Sequence, residues 1–204
     1  DGDFLTIKRL IQSSDLGRIT YFESNFNRFK PEVDKSNWRE TTENAGGVFF
    51  DLGPHLIDQA LDLFGPPLKV FADIDIIRED AVNDDYFHII FQYEKCRVQL
   101  NASAICKNPR ERFVIHGTKG SFTKHGLDPQ EKNLKHGMNG HSSDLGKDSE
   151  VNYGILMTSK TQKIPTIDGN YRGFYSNVTS TIKKIDSLVV STNEALFVME
   201  IMEL

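Results

Sequence analysis

Cysteine is scarce in this 204-residue chain: Cys96 and Cys106 are the only two. Neither sits in a C-x-x-C pair and neither adjoins a histidine, which speaks against a zinc site and a thiol nucleophile. Two such thiols read as small buried hydrophobes rather than a disulfide. No apolar run approaches the roughly 18 residues of a membrane-spanning helix, so no membrane role is expected. No run of lysine and arginine appears, and the formal net charge is −5. Nothing therefore marks a nucleic-acid surface. No G-x-G-x-x-G follows a strand pattern; Gly117-Thr-Lys-Gly120 lacks both the glycine spacing and the helix start of a phosphate loop. His125, His136 and His141 match no zinc spacing and have no fixed acidic or thiolate partner, so no metal site is expected. No repeat or low-complexity tract is present.

What remains is an ordinary globular composition, 38% hydrophobic and 26% charged, enough for one domain with an ample core. Residues 3–14 carry Phe4, Ile7, Leu10 and Ile11 at helical spacing. Residues 18–29 alternate as a long strand with one buried face. Residues 30–45 are polar and rich in turn formers, a length of loop that is usually functional. Further strands are expected over 68–77, 86–93, 96–105, 111–116 and 121–124, joined by hairpin turns such as Glu94-Lys95. Edge strands are expected within 151–164. A short helix is expected over 128–135, a surface loop over 137–154, and closing helices over 171–185 and 192–204. In the first closing helix Phe174, Val178, Ile182 and Ile185 mark a core face; in the second, Ala195, Leu196, Met199 and Met202 do. The fold class is α+β: a mostly antiparallel, open, twisted sheet with helices on one face. The other face carries His88, Arg97, Gln99 and Asn101 and meets water or another surface.

The chain is organised around residues 45–58, AGGVFFDLGPHLID. A helix is expected to start at or slightly before Asp51, with Pro54 in its first turn, and to run to Phe64 ahead of Gly65-Pro66-Pro67. Asp51, His55, Asp58 and Asp62 then share one stripe. Gly46, Gly47 and Gly53 clear side-chain bulk beside the Asp51/His55 pair. A carboxylate and an imidazole at a helix start suit proton transfer, because histidine titrates near neutral pH and a carboxylate can orient it. The same two residues also suit a plainer role, an N-terminal cap with a solvated i,i+4 partner. Trp38, the only tryptophan, and Arg39 lie in the long loop. They read either as a surface anchor or as a pocket wall in which the arginine fork donates to substrate oxygens.

Gly46-Gly47-x-x-x-Asp51-x-Gly53-x-His55-x-x-Asp58 resembles the signature of the Gfo/Idh/MocA oxidoreductases. So, in order along the chain, do residues 16–23, Phe29-Lys-Pro31 with Trp38-Arg-Glu40, residues 116–122 and 126–131, and residues 169–175. The resemblance spans nearly the whole chain and weakens over about 135–160. It implies that residues 1–17 form a connecting helix from a missing N-terminal dinucleotide-binding (Rossmann) domain, and that residues 18–204 form the C-terminal substrate and oligomerisation domain. The implied activity moves a hydride between NAD or NADP, held mainly by the missing domain, and a sugar, polyol or related hydroxy compound. His55 and Asp51 would be catalytic, and Arg39, Trp38 and Tyr171 would bind substrate, with Tyr171 at the site's mouth or merely packing at a helix start. The family's lysine-bearing Glu-Lys-Pro segment is absent, so the chain alone is expected to be inactive. The resemblance further implies a cytoplasmic homo-oligomer associating through the open sheet face. The competing reading is a non-catalytic sugar-binding or dimerisation module derived from the same domain.

Overall fold

The computed structural model describes residues 1–41, 46–108 and 110–204. The chain runs α1 (Gly2–Gln12), β1 (Ile19–Asn25), α2 (Trp38–Thr41), α3 (Gly47–Phe64), β2 (Lys69–Asp75), β3 (Tyr86–Gln92), β4 (Arg97–Ser103), β5 (Phe113–Gly117) and β6 (Ser121–Lys124). It continues through α4 (Gln130–Lys135), a 3-10 turn at Glu150–Asn152, β7 (Gly154–Met157), β8 (Thr161–Ile164), α5 (Tyr171–Ile182) and α6 (Thr192–Met202). The strands form one sheet in the order β2-β3-β4-β1-β5-β6-β7-β8. Only the β1–β4 pair is parallel. Every other neighbouring pair is antiparallel, as hairpin connections require. The α+β architecture expected from the alternation is therefore present.

The core lies between one sheet face and the helices. Phe22, Phe87, Phe91, Val98, Leu100, Phe113, Ile115 and Phe122 point from the strands toward Leu52, Leu56, Ile57 and Ala60 of α3 and Ile7 and Leu10 of α1. The period-2 and period-3.6 patterns meet at this layer. The open face is not uniformly wet. Tyr21, Glu23 and Asn25 of β1 bond across to β4: Tyr21 Oη donates to Glu23 (2.5 Å) and to Gln99 (3.1 Å), Asn25 Nδ2 donates to Glu23, and Asn101 Nδ2 donates to Asn25 Oδ1. Glu23, Asn25 and Asn101 are buried, and each has the partner that burial demands. A second buried polar centre joins Lys124 Nζ to Asp148 Oδ2 at 2.8 Å and ties the loop after α4 to β6.

Helix α3 begins at Gly47, four residues before Asp51, so Pro54 is interior rather than in the first turn. Its missing N–H leaves the Phe50 carbonyl without a helical partner, and Phe50 is on the exposed side. The sequence could not place this start because the residue at the N-cap, Gly46, carries no capping side chain. Instead Asp84, just ahead of β3, accepts from the Phe49 N–H at 2.6 Å, and its carbonyl accepts from Val48 at 2.9 Å. Gly47 has φ +91°, and a Cβ there would stand 2.0 Å from Asp84 Oδ1. Glycine therefore lets both the backbone turn and the carboxylate fit.

The two closing helices depart from the expected core. Phe174, Ile182 and Ile185 are exposed, and α5 buries none of its residues. Helix α6 packs through Val198, with Ile201 and Met202 partly buried, while Ala195, Leu196 and Met199 face outward. Its sequence is apolar on nearly every side, so periodicity alone does not choose a face. Its start is fixed by a capping box of Ser191 and Glu194.

Replacing Asp84 with alanine is expected to destabilise the protein by about 1–2 kcal/mol, the range for loss of an N-terminal cap. Denaturant unfolding at pH 7 measures it; an unchanged midpoint would mean that Asp84 does not hold α3.

Candidate active site

The strand β1 continues its core-side parity through Phe26 to Arg28, which brings Arg28 beside the start of α3. The backbone there is clamped to the far end of β4: Arg28 N–H donates to the Ser103 carbonyl, Lys30 N–H to Ala104, and Cys106 N–H back to Arg28. From the other side α2 presents Arg39. Between them stands Asp51, with Oδ1 3.3 Å from Arg39 Nε and Oδ2 3.6 Å from Arg28 Nη1. The Arg39 guanidinium also lies 4.6 Å from the centroid of the Trp38 ring, and that of Arg28 lies 5.0 Å from Phe26. Phe26, Arg28, Arg39 and Asp51 line an open cleft together with Asn37, Glu40, Gly47, Val48, Arg78, Asn83 and Asp84. Burial raises the Asp84 carboxyl above the ordinary aspartate range, against the Phe49 N–H bond that lowers it.

The ion pairs of Asp51 are partly exposed: the side chains of Arg39, Arg28 and Asp51 keep 48%, 40% and 31% of their surface. Pairs this open are individually worth about 1 kcal/mol or less. Their donors can therefore turn to an incoming hydroxyl or carboxylate oxygen at little cost.

His55 lies one turn beyond Asp51 on α3, is exposed, and makes no ring hydrogen bond among the described residues. The carboxylate of Asp51 is engaged by the two arginines. Asp58, one turn further, is the carboxyl whose charge surroundings include His55; burial raises it, and the carboxylates of Asp62 and Glu194 push the same way. Asp62 ends the stripe in a surface pair with Lys8 of α1, at 2.7 Å. The stripe read from the sequence is thus real, but its members do different work. Arg39 and Asp51 come together in one cleft; Trp38, against the Arg39 guanidinium, and His55 both lie outside its lining. Tyr171 does not join them. It opens α5, its N–H donates to Gln130 Oε1 at 2.7 Å, and it lines a second cavity that shares no lining residue with the first. Ala45, at the head of the organising stretch, lies outside the described residues.

Sequence reasoning overlooked Arg28, Asp84 and Arg78, and placed Glu40 only within the Trp38-Arg-Glu40 motif. Strand parity carries the signal for Arg28. For Asp84 and Asp85 it is a pair of aspartates directly before an alternating strand. Among the described residues no group of histidine, cysteine and acidic side chains is arranged to hold a metal ion. The Gly117–Gly120 turn is a filled hairpin: a Cβ at Gly120 would lie 2.5 Å from the Met157 carbonyl oxygen. It offers no cradle for a dinucleotide phosphate.

The chain matches the family model described as the GFO/IDH/MocA C-terminal domain over residues 4–123. It is similar to YdgJ of Escherichia coli (strain K12), named an uncharacterized oxidoreductase, with 37% identity over 209 residues covering all of this chain and 60% of that protein. It is 38% identical over 208 residues to the scyllo-inositol 2-dehydrogenase (NADP(+)) IolW of Bacillus subtilis (strain 168), covering 58% of it. The solved structure of yvaA from Bacillus subtilis superposes with a TM-score of 0.94 at 38% identity, covering all of this chain and 59% of that one. The chain thus spans about 60% of the length of the relatives it matches. The Gly-Gly/Asp/His helix, its sheet and these matches agree: the chain belongs to the GFO/IDH/MocA family of oxidoreductases and carries that family's C-terminal domain.

Proposed function

We propose that this chain is the substrate-binding part of a nicotinamide-dependent oxidoreductase that acts on a hydroxyl-bearing carbon of a sugar, polyol or related compound. The observation that carries the reading is the cleft in which Asp51, Arg28 and Arg39 converge next to the exposed His55. The relative named as a scyllo-inositol 2-dehydrogenase (NADP(+)) supports both the substrate class and a nicotinamide cofactor. Among the described residues the Gly117–Gly120 turn forms no phosphate cradle, and in this reading NAD or NADP is held by another part of a longer protein. What the chain supplies is placement and proton handling. The two guanidiniums donate to substrate oxygens, with Trp38 walling the approach. Asp51 accepts from a substrate hydroxyl, and His55, exposed one turn along α3, exchanges the hydroxyl proton with solvent. Tyr171 has a different place in this scheme, because its cavity is separate: it belongs to the packing of α5.

The open sheet face suits association with a second copy. Phe71 of β2 and Met157 of β7 stand exposed on it, on either side of the closed polar patch around Glu23. Sedimentation should show an oligomer that Phe71→Glu shifts toward monomer; a monomeric parent protein would remove this part of the proposal.

The 204-residue chain alone is expected to give no dinucleotide reduction with scyllo-inositol, and measurable turnover by it would refute the assignment of the cofactor to another part. In a full-length protein, His55→Ala should lower turnover about 10²–10⁴-fold, the usual weight of one acid–base group, while dinucleotide affinity stays within a few fold. Unchanged turnover removes His55 from the chemistry. Polyol binding without any turnover in the parent would favour a binding module.

A further inference from the structure

Two kinds of arginine border the cleft. Arg28 and Arg39 are open to solvent, whereas the side chain of Arg78 keeps only 4% of its surface. Arg78 lies just past β2, in the connection to β3. Its Nε donates to Asp85 Oδ2 at 2.8 Å, and the Asp85 side chain is fully buried. Asp85 also accepts from the backbone N–H groups of Ile77 and Arg78, so the carboxylate is fixed from three directions. The Nη1 of Arg78 reaches the other way, to the carbonyls of Lys30 (3.1 Å) and Glu32 (3.2 Å) and to Glu40 Oε2 (3.1 Å). Glu40 in turn accepts from the Asp34 N–H at 3.0 Å. The carbonyl of Arg39 is held by Asn83 Nδ2 at 3.0 Å, from the same β2–β3 connection.

We infer that Arg78 is a positioning residue for substrate binding: it fixes the segment 30–41, and with it Arg39, at the distance from Asp51 that the cleft requires. The inference rests on the reading that this cleft takes the substrate. A planar guanidinium is needed for the task, because one edge must hold Asp85 while the opposite nitrogen meets three oxygens of another segment. Lysine has no such fork. Arg28 is held separately, by backbone bonds to β4, so loosening Arg78 should displace Arg39 and leave Arg28 where it is. Asp84 and Asp85 are neighbours in sequence. One holds the start of α3 and the other holds Arg78, so both walls of the cleft are referred to a single peptide unit.

The test uses full-length protein carrying Arg78→Lys, and, because a buried pair is disturbed by that change, a milder variant, Glu40→Gln. Glu40→Gln removes the outer carboxylate while Arg78 keeps Asp85. Hydrogen–deuterium exchange of the peptide spanning 30–41 should speed up about tenfold or more in both, with the peptides of β3, β4 and residues 26–29 unchanged. With scyllo-inositol as the probe substrate, KM should rise about tenfold while kcat changes less than threefold. Adding Arg39→Ala to either variant should raise KM little further, since both act through the same contact. Unaltered exchange over 30–41 in a folded variant overturns the inference, as does a loss confined to kcat. A parent protein that does not oxidise the probe counts against the proposed substrate; the exchange measurement then decides the positioning role by itself.

Discussion

Everything that faces the cleft depends on how α3 begins. A helix start leaves N–H groups without partners, and here the N-cap residue, Gly46, has no side chain to supply one. The carboxylate comes instead from Asp84, 35 residues away from Phe49, whose N–H it takes. That bond anchors the first turn of α3 to the β2–β3 connection. The buried stripe Leu52, Leu56, Ile57 and Ala60 then falls on the sheet, and Asp51 and His55 fall on the side that stays open. Gly53 serves the same placement: a Cβ there would press 2.9 Å from the Phe49 ring, which packs edge-on against Phe87 of the sheet at 5.7 Å.

Charge is partitioned by burial. Pairs that hold architecture are sealed and have several hydrogen bonds each: Arg78 with Asp85, and Lys124 with Asp148, whose carboxylate also takes Asn152 and Thr166 and is thereby kept below the usual aspartate range despite burial. Arg112, 5% exposed, follows the same rule, bonded to Ser24 and to the carbonyl of Asn25, with its pKa pushed down to about 10 by burial. The pairs of Asp51 with Arg28 and Arg39, which face into the cleft, are open and loosely made. Low-dielectric pairs resist exchange because breaking them strands a charge; exposed ones do not, and that difference suits a surface whose partners must come and go.

The layers of the fold were legible in the sequence because each strand that covers the core alternates cleanly and α3 carries an unbroken apolar stripe. Strands β3, β4 and β6 fall inside the residues that alternation marks, and β5 overruns them by one residue, Gly117. The start of α3 was not legible, since its cap is non-local. Nor was the exposure of α5, whose apolar residues follow a helical period without meeting another layer in this chain. Of the site, the Asp51 and His55 stripe and the Trp38-Arg39 pair could be read from residue type and spacing. Arg28, Arg78 and Glu40 could not, because their roles come from contacts that bridge segments 38 to 48 residues apart or from a strand's parity beyond its last ladder bond.

The β2–β3 connection that anchors both walls leaves from β2, and β2 is the outermost strand on its side of the sheet, with nearly all of its residues exposed. Strands of this kind open by themselves at free energies well below that of global unfolding. When β2 peels from β3, the anchors of α3 and of the arginine loop go slack together while the phenylalanine core between β4, β1 and β5 stays packed. The cleft's two anchors therefore share one weak point at the sheet edge, and would loosen ahead of the phenylalanine core rather than with it.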